Sequence, residues 1–126
     1  MAEKSILDTT ILIDIFDHGK YEYLLQNENS ISVISIYEFI RYKKKMLENK
    51  LLLEDSFDII PIMNPTLLKA AEIFVRLRQN GITINENDVH IAAAAIVNNL
   101  KLYTKDKDFL EIKKYFKELG LQLLKD

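Results

Sequence analysis

Four carboxylates, Asp8, Glu38, Asp88 and Asp106, recur at or just beyond the points where short apolar runs give way to helical patterns. Their neighbours are apolar or small. Taking unpaired carboxylates out of water is costly, and several close together also repel one another. A bound divalent cation offsets both costs. Ligands that are all oxygen suit Mg²⁺ or Mn²⁺, which keep several waters and accept phosphate oxygens. Such a centre permits phosphodiester hydrolysis: the metal orients and deprotonates a water and stabilises charge on the phosphate and the leaving oxygen. The number of ions, one or two, stays open.

Each acid also has a structural explanation. Asp8 can cap the helix that follows it. Glu38 can pair with Arg41 or Tyr42 on its own helix, worth about 0.3–0.5 kcal/mol. Asp88 can complement a helix dipole, and Asp106 can be a turn residue. What favours chemistry is the recurrence of an acid at the same end of successive units. Asp108, followed three residues later by Glu111, has the layout of a capping box, so Asp106 is the preferred ligand. Asp14 reads as solvent-facing and Asp17 as a helix-end residue. His90 lies roughly 200° around the helix from Asp88, too far to share a metal, and reads as satisfied or partly buried.

The elements that must carry these acids alternate between strand and helix. Ser5 to Leu7 is a strand; Thr9 or Thr10 caps a helix with Ile11, Leu12, Ile15 and Phe16 on one face, and Gly19 stops it. Tyr21 to Gln26 is a short helix. Ile31 to Ile34 is a second strand, and Ser35 caps a helix running to about Glu48 with Ile36, Phe39, Ile40 and Leu47 inward. Ile59 to Met63 is a third strand. Asn64-Pro65 opens a helix that buries Leu67, Ala71, Phe74 and Leu77 and ends at Gly81. Asn87 caps an alanine-rich helix packed on several sides. Leu100 to Thr104 is a strand, Asp108 opens a last helix with Phe109, Ile112, Phe116 and Leu119 inward, and Leu121 to Leu124 is a final strand. This alternation predicts an α/β fold: a three-layer α/β/α sandwich with a mostly parallel sheet of four or five strands. Ligands of such folds bind beyond the carboxyl ends of the strands, where the acids stand.

Composition narrows the function further. The chain has 126 residues, no cysteine and a formal net charge of −2. That length fits one domain, 1–126. Thiol nucleophiles, disulfides and cysteine zinc sites are excluded. No apolar run reaches the roughly 18 residues of a membrane span, and the N-terminus lacks a signal-peptide stretch, so the expected location is cytoplasmic and no membrane partner is expected. Bulk positive charge cannot drive nucleic-acid binding here. A local cluster, Arg41 with Lys43, Lys44 and Lys45, can track a phosphate backbone, with Tyr42 as a stacking surface. Arg41 and Lys45 lie near the helix face of Glu38 by spacing and are candidates to bind RNA, as is Lys105, which with Lys107 flanks Asp106 and can also meet phosphate.

Four blocks, LDTTILID, SVISIYEFI, NDVHIAAAAI and YTKDKDF, together resemble the PIN domain, and more narrowly the VapC toxins of VapBC toxin–antitoxin systems. The resemblance spans essentially the whole chain, with the blocks in order. It implies a metal-dependent endoribonuclease that leaves a 5′-phosphate and a 3′-hydroxyl. Carried over residue by residue, it implies Asp8, Glu38, Asp88 and Asp106 as catalytic and metal-binding acids, with Mg²⁺ or Mn²⁺ as cofactor. Thr9 and Thr104 match hydroxyl positions beside the site, and Asp108 stays open because some members use the later acid. Val89-His90 departs from the small or apolar residues common there. The implied partners are an RNA substrate, a VapB-type antitoxin and a second copy in a homodimer; Tyr42, Leu51, Leu52 and Leu53 are candidates for covered surface. A noncatalytic PIN-like RNA- or protein-interaction module is the alternative, and a broken acidic set would mark it. A phosphoacceptor receiver domain needs an acidic pair after the first strand, where Thr9-Thr10 stand. A haloacid-dehalogenase-type phosphatase needs Asp-x-Asp, and Thr10 occupies the second place.

Overall fold

Strand β1 is only three residues long, Ser5–Leu7, yet it is hydrogen-bonded to a strand on each side. The computed structural model describes residues 4–125. The other strands are β2 (Asn29–Ser32), β3 (Asp58–Ile60), β4 (Lys101–Thr104) and β5 (Leu121–Leu123). They form one sheet in the order β3-β2-β1-β4-β5, and every pairing is parallel. Among the described residues six helices cover it: α1 (Thr9–His18), α2 (Val33–Ile40), α3 (Met46–Ser56), α4 (Asn64–Gln79), α5 (Glu86–Val97) and α6 (Asp108–Tyr115). A 3₁₀ turn spans Glu22–Gln26. The expected α/β sandwich is borne out, with five strands.

Successive side chains of β1 enter opposite layers, as the two-residue period of a strand requires. Ile6 joins a core built from α4, α5 and α6 with Leu100 and Leu102. Leu7 joins a second core with Ile11, Leu12, Ile15, Ile31, Phe39 and Leu53 from the α1–α3 side. In α5, Ala92 to Ala95 are all buried, as expected for a helix packed on several sides. Gly19 adopts φ +65°, the left-handed conformation that ends α1, and its N–H donates to the Asp14 carbonyl.

Several boundaries differ from the sequence reading. Strand β2 begins at Asn29 and ends at Ser32, and Ser32 rather than Ser35 caps α2, its hydroxyl accepting the Ile34 N–H at 3.1 Å. The expected long helix to Glu48 is two helices, because α2 stops at Ile40 and α3 starts at Met46. Leu47 is consequently exposed, as are Leu51 and Leu52, whereas Leu53 is fully buried. Strand β3 ends at Ile60. Helix α4 buries Thr66, Ala70, Ile73 and Leu77 rather than Leu67 and Ala71, a phase shift that leaves Leu67, Leu68 and Val75 outside. Asn85, not Asn87, caps α5, its side chain accepting the Asn87 N–H at 2.8 Å. The helical turns of α6 stop at Tyr115, short of Leu119.

The strand order creates the place for a ligand. From β1 the chain builds β2 and β3 to one side, then crosses to lay β4 and β5 on the other. Connections therefore leave the carboxyl ends of β1 and β4 in opposite directions, opening a crevice between them. Asp8 follows β1 directly, and Thr104 and Asp106 lie at the same end of β4.

Candidate active site

Asp8 is buried at the N-terminus of α1 and is itself the cap, in place of Thr9 or Thr10. Its Oδ1 accepts the Ile11 N–H at 3.1 Å and the Thr10 hydroxyl at 2.8 Å. Its Oδ2 accepts the Thr104 hydroxyl, which reaches across from the end of β4. Capping thus occupies one oxygen, and Thr104 holds the other from the neighbouring strand. Burial raises the Asp8 pKa above the ordinary carboxylate value. The bonds from Thr104, Ile11 and Thr10 lower it in part, and the charge of Asp106 raises it further.

Glu38 turns inward from α2 while keeping a loose pair along its helix with Arg41. Its Oε1 accepts the Thr9 hydroxyl at 2.7 Å, and that hydroxyl stands 3.1 Å from the Ser35 hydroxyl. Its Oε2 accepts the Asn87 amide at 3.2 Å, while Arg41 lies 4.0 Å away. Thr9, Ser35 and Asn87 therefore hold Glu38 toward the head of α5. Sequence reasoning missed Asn87 in this role, treating it as a helix cap. The available signal was an amide placed directly before Asp88.

Asp88 sits half-buried in the first turn of α5. Its pKa is pushed up from 3.8 to about 7. Burial is the largest cause, followed by the charges of Asp106, Asp8, Glu38 and Asp108. Carboxylates from β1–α1, α2 and the β4–α6 turn thus all act on Asp88 of α5 at one edge of the sheet.

Asp106 carries the structural duty expected of Asp108. Its Oδ1 accepts the Asp108 N–H at 2.9 Å, and its own N–H donates to the Thr104 hydroxyl at 3.0 Å. Asp108 is the exposed first residue of α6, and Lys107 before it makes no side-chain cap. The capping box expected of Asp108 is absent because Asp106 takes its N–H. Asp106 remains partly buried and contributes the largest charge effect on Asp88 after burial.

The basic candidates divide. Arg41 is exposed, 5.3 Å from the Tyr37 ring centre and 5.2 Å from that of Tyr42. Lys43 pairs with Asp17 at 2.7 Å. Lys45 does not share the Glu38 helix: it flanks the start of α3 and pairs loosely with Glu48 at 3.8 Å. Lys105 points inward to Asp14, at 2.6 Å. Asp14, expected to face solvent, is buried. His90 is partly buried, as expected, but its Nδ1 makes no hydrogen bond among the described residues. It lines an apolar hollow of about 290 Å³ with Leu67 and Phe74, on the α4–α5 surface.

Among the described residues, no three His, Cys, Asp or Glu side chains form a ready cage for an ion. The donor set nevertheless fits a hard cation. It is all oxygen, held by hydroxyl and amide donors, and the burial and neighbouring charge that lift Asp88 are both costs that a divalent charge relieves. Asp8, Glu38, Asp88 and Asp106 could hold such an ion.

Residues 5–115 match the family model for the PIN domain. The chain is 32% identical over 124 residues to the ribonuclease VapC1 of Methanocaldococcus jannaschii, covering 95% of this chain and 86% of that protein. It is 29% identical over 112 residues to the VapC ribonuclease PF0355 of Pyrococcus furiosus, covering 77% and 75%. VapBC2 from Rickettsia felis, solved bound to a DNA fragment from its promoter, superposes with a TM-score of 0.74 at 28% identity, over 95% of this chain and 98% of that one. VapBC-1 from nontypeable Haemophilus influenzae shares the fold with a TM-score of 0.76 at 20% identity, over 95% and 97%.

Proposed function

Because this chain belongs to the PIN-domain family, in its VapC branch, we propose that it is a divalent-metal-dependent endoribonuclease and the toxin of a toxin–antitoxin pair. One observation carries the reading: at the sheet's switch point, burial first and then the charges of Asp106, Asp8 and Glu38 lift Asp88 to about 7. Repulsion left uncompensated there serves no structural end. Asp8, Asp88 and Asp106 hold the metal, and Glu38 completes the set.

Bound by these acids, Mg²⁺ or Mn²⁺ would supply Lewis acidity for activating water and neutralising phosphate charge. The protein's own part is positioning. The Thr104 hydroxyl holds Asp8, Thr9 and Asn87 hold Glu38, and the Thr104 hydroxyl also fixes the Asp106 backbone. Acids on the ends of strands and helices are held more rigidly than acids on long loops. Arg41, 4.0 Å from Glu38 and exposed between Tyr37 and Tyr42, offers a cation and two ring faces for an RNA strand. Lys45, more remote, contributes charge alone.

The relatives named as VapBC assemblies support a VapB-type antitoxin as partner. The exposed side chains of Tyr42, just after α2, and of Met46, Leu47, Leu51 and Leu52 on α3 provide apolar surface for such a partner. An arginine from the antitoxin would neutralise the clustered carboxylates bidentately. A homodimer completes the assembly.

The test is direct. Purified protein should cleave single-stranded RNA with Mn²⁺ or Mg²⁺ and stop on chelation, leaving 5′-phosphate ends. Growth arrest on expression should be relieved by the small reading frame beside its gene. Metal-indifferent RNA binding without cleavage would instead identify a noncatalytic interaction module.

Asp106 and Asp108 are separable in the same assay. Asp106→Asn keeps an oxygen for the Asp108 N–H, so its melting temperature should stay near wild type while cleavage is lost. Asp106→Ala should also lose about 0.5–2 kcal/mol of stability with the cap. Asp108→Asn should cost little of either. Full loss of cleavage in Asp108→Asn, with Asp106→Asn active, would move the ligand to Asp108.

A further inference from the structure

Asp14 is buried in α1 with 4% of its surface exposed, an unusual place for a charge. Its backbone carbonyl is fixed by N–H groups from Gly19 and Lys20, the latter at 2.9 Å. Its carboxylate meets Lys105, whose Nζ stands 2.6 Å from Oδ2. Lys105 lies between Thr104, which donates to Asp8, and Asp106. A carboxylate withdrawn from water is costly unless paired, and this one pairs with the residue adjoining a site acid.

We propose that Asp14 is a positioning residue of the metal centre, clamping the β4–α6 turn through Lys105 so that Asp106 is presented to Asp8 and Asp88. The inference rests on the nuclease reading above. The clamp acts in two ways. It ties the turn to α1, the helix that Asp8 caps, so both acids share one rigid support. It also directs the Lys105 ammonium away from Asp88 and Asp106, where it would compete with a metal for the same oxygens. Lys105 is thereby a structural cation, not an RNA contact.

Charge alone and positioning make opposite forecasts. If Lys105 acted only through its charge, Lys105→Gln would tighten Mn²⁺ binding, because a nearby positive charge is gone. If it positions the turn, Lys105→Gln weakens binding. Calorimetric Mn²⁺ titration at pH 7.5, with thermal melts of each protein, should show affinity about 10-fold lower in Lys105→Gln and in the Asp14→Asn/Lys105→Gln double variant. Lys105→Arg should stay within about twofold of wild type. The double variant carries no unpaired buried charge, so it decides the matter where a single variant does not fold. Wild-type affinity in the double variant, with or without a lower melting temperature, would overturn the clamp alone, provided Asp8→Asn still loses Mn²⁺. A wild-type protein that takes up no Mn²⁺ would overturn the nuclease reading and the clamp with it.

Discussion

Asp8→Asn and Asp88→Asn should each abolish metal-dependent RNA cleavage while leaving the fold intact. The two changes remove one charge apiece from a crevice in which Asp8, Glu38 and Asp106 bear on Asp88, and Asp106 on Asp8. At Asp8 the amide oxygen can still accept the Ile11 N–H that the cap requires, and the Thr104 hydroxyl can turn to accept from the amide nitrogen. Helix α1 therefore keeps its start, whereas Asp8→Ala would forfeit about 0.5–2 kcal/mol. Mn²⁺ affinity should fall at least 100-fold on the order-of-magnitude scale of a lost ligand, more than the ~10–100-fold typical of an outer-shell change. Calorimetric titration beside circular dichroism checks both halves. Equal Mn²⁺ affinity in Asp8→Asn and wild type would remove Asp8 from the ligand set.

A pH dependence follows from Asp88, opposite in sign to that of a salt-bridged acid. Its folded pKa of about 7 lies above the ordinary 3.8, so between those values the native protein holds a proton that the unfolded chain has released. The unfolded state then binds fewer protons, and stability falls as pH rises through this window. The contribution is fully present below about 4 and lost above about 7. Asp8, also raised, acts in the same direction. Asp88→Asn carries no such charge, so without metal at pH 8 it should melt above wild type, with the gap closing toward pH 4. Because Asp88 keeps water on one side, screening limits the gain to about 1–2 kcal/mol, or about 3–8 °C. Saturating Mn²⁺ should reverse the order, since only the wild type gains binding energy, and Mn²⁺ affinity should climb with pH through about 7. Superimposable melting curves across pH 4–8 would show that Asp88 does not carry the strained charge.

The alternating strands and helices were legible because short apolar runs and glycine or asparagine stops recur along the chain. The acids at their ends came with them. What escaped was decided by partners far away in sequence. Strand β2 is largely polar, Asn29 to Ser32, and it is buried because Ser5 donates to Asn29 while the Asn29 amide donates to the Leu24 carbonyl, both at 2.5 Å. Hydropathy moved it two residues along, to Ile31. Helix α4 is apolar at Leu67, Leu68, Ala70, Ala71, Ile73 and Phe74, so periodicity alone does not select which stripe faces inward. Asp14 was placed outside because a lone acid in a helix prefers water; its partner is Lys105, 91 positions later. At Asp106 and Asp108 the capping pattern pointed to the later acid, but the Thr104 hydroxyl fixed the turn so that Asp106 reaches the helix first.

The central place of β1 determines how the protein comes apart. Its backbone is bonded to β2 and β4, and its side chains fill both cores, so its amides are shielded until the whole sheet opens. Edge strands β3 and β5 and the Arg41–Lys45 segment can exchange with solvent through smaller openings. Asp8 follows the most protected strand, and the Thr104 hydroxyl bonded to it ends the adjoining one. The crevice between them therefore shares the lifetime of the native state, while the surfaces that would meet RNA or a partner breathe on their own. Partner choice can drift through substitutions on those outer segments without loosening the centre. Dismantling the centre, by contrast, requires unfolding of the entire molecule.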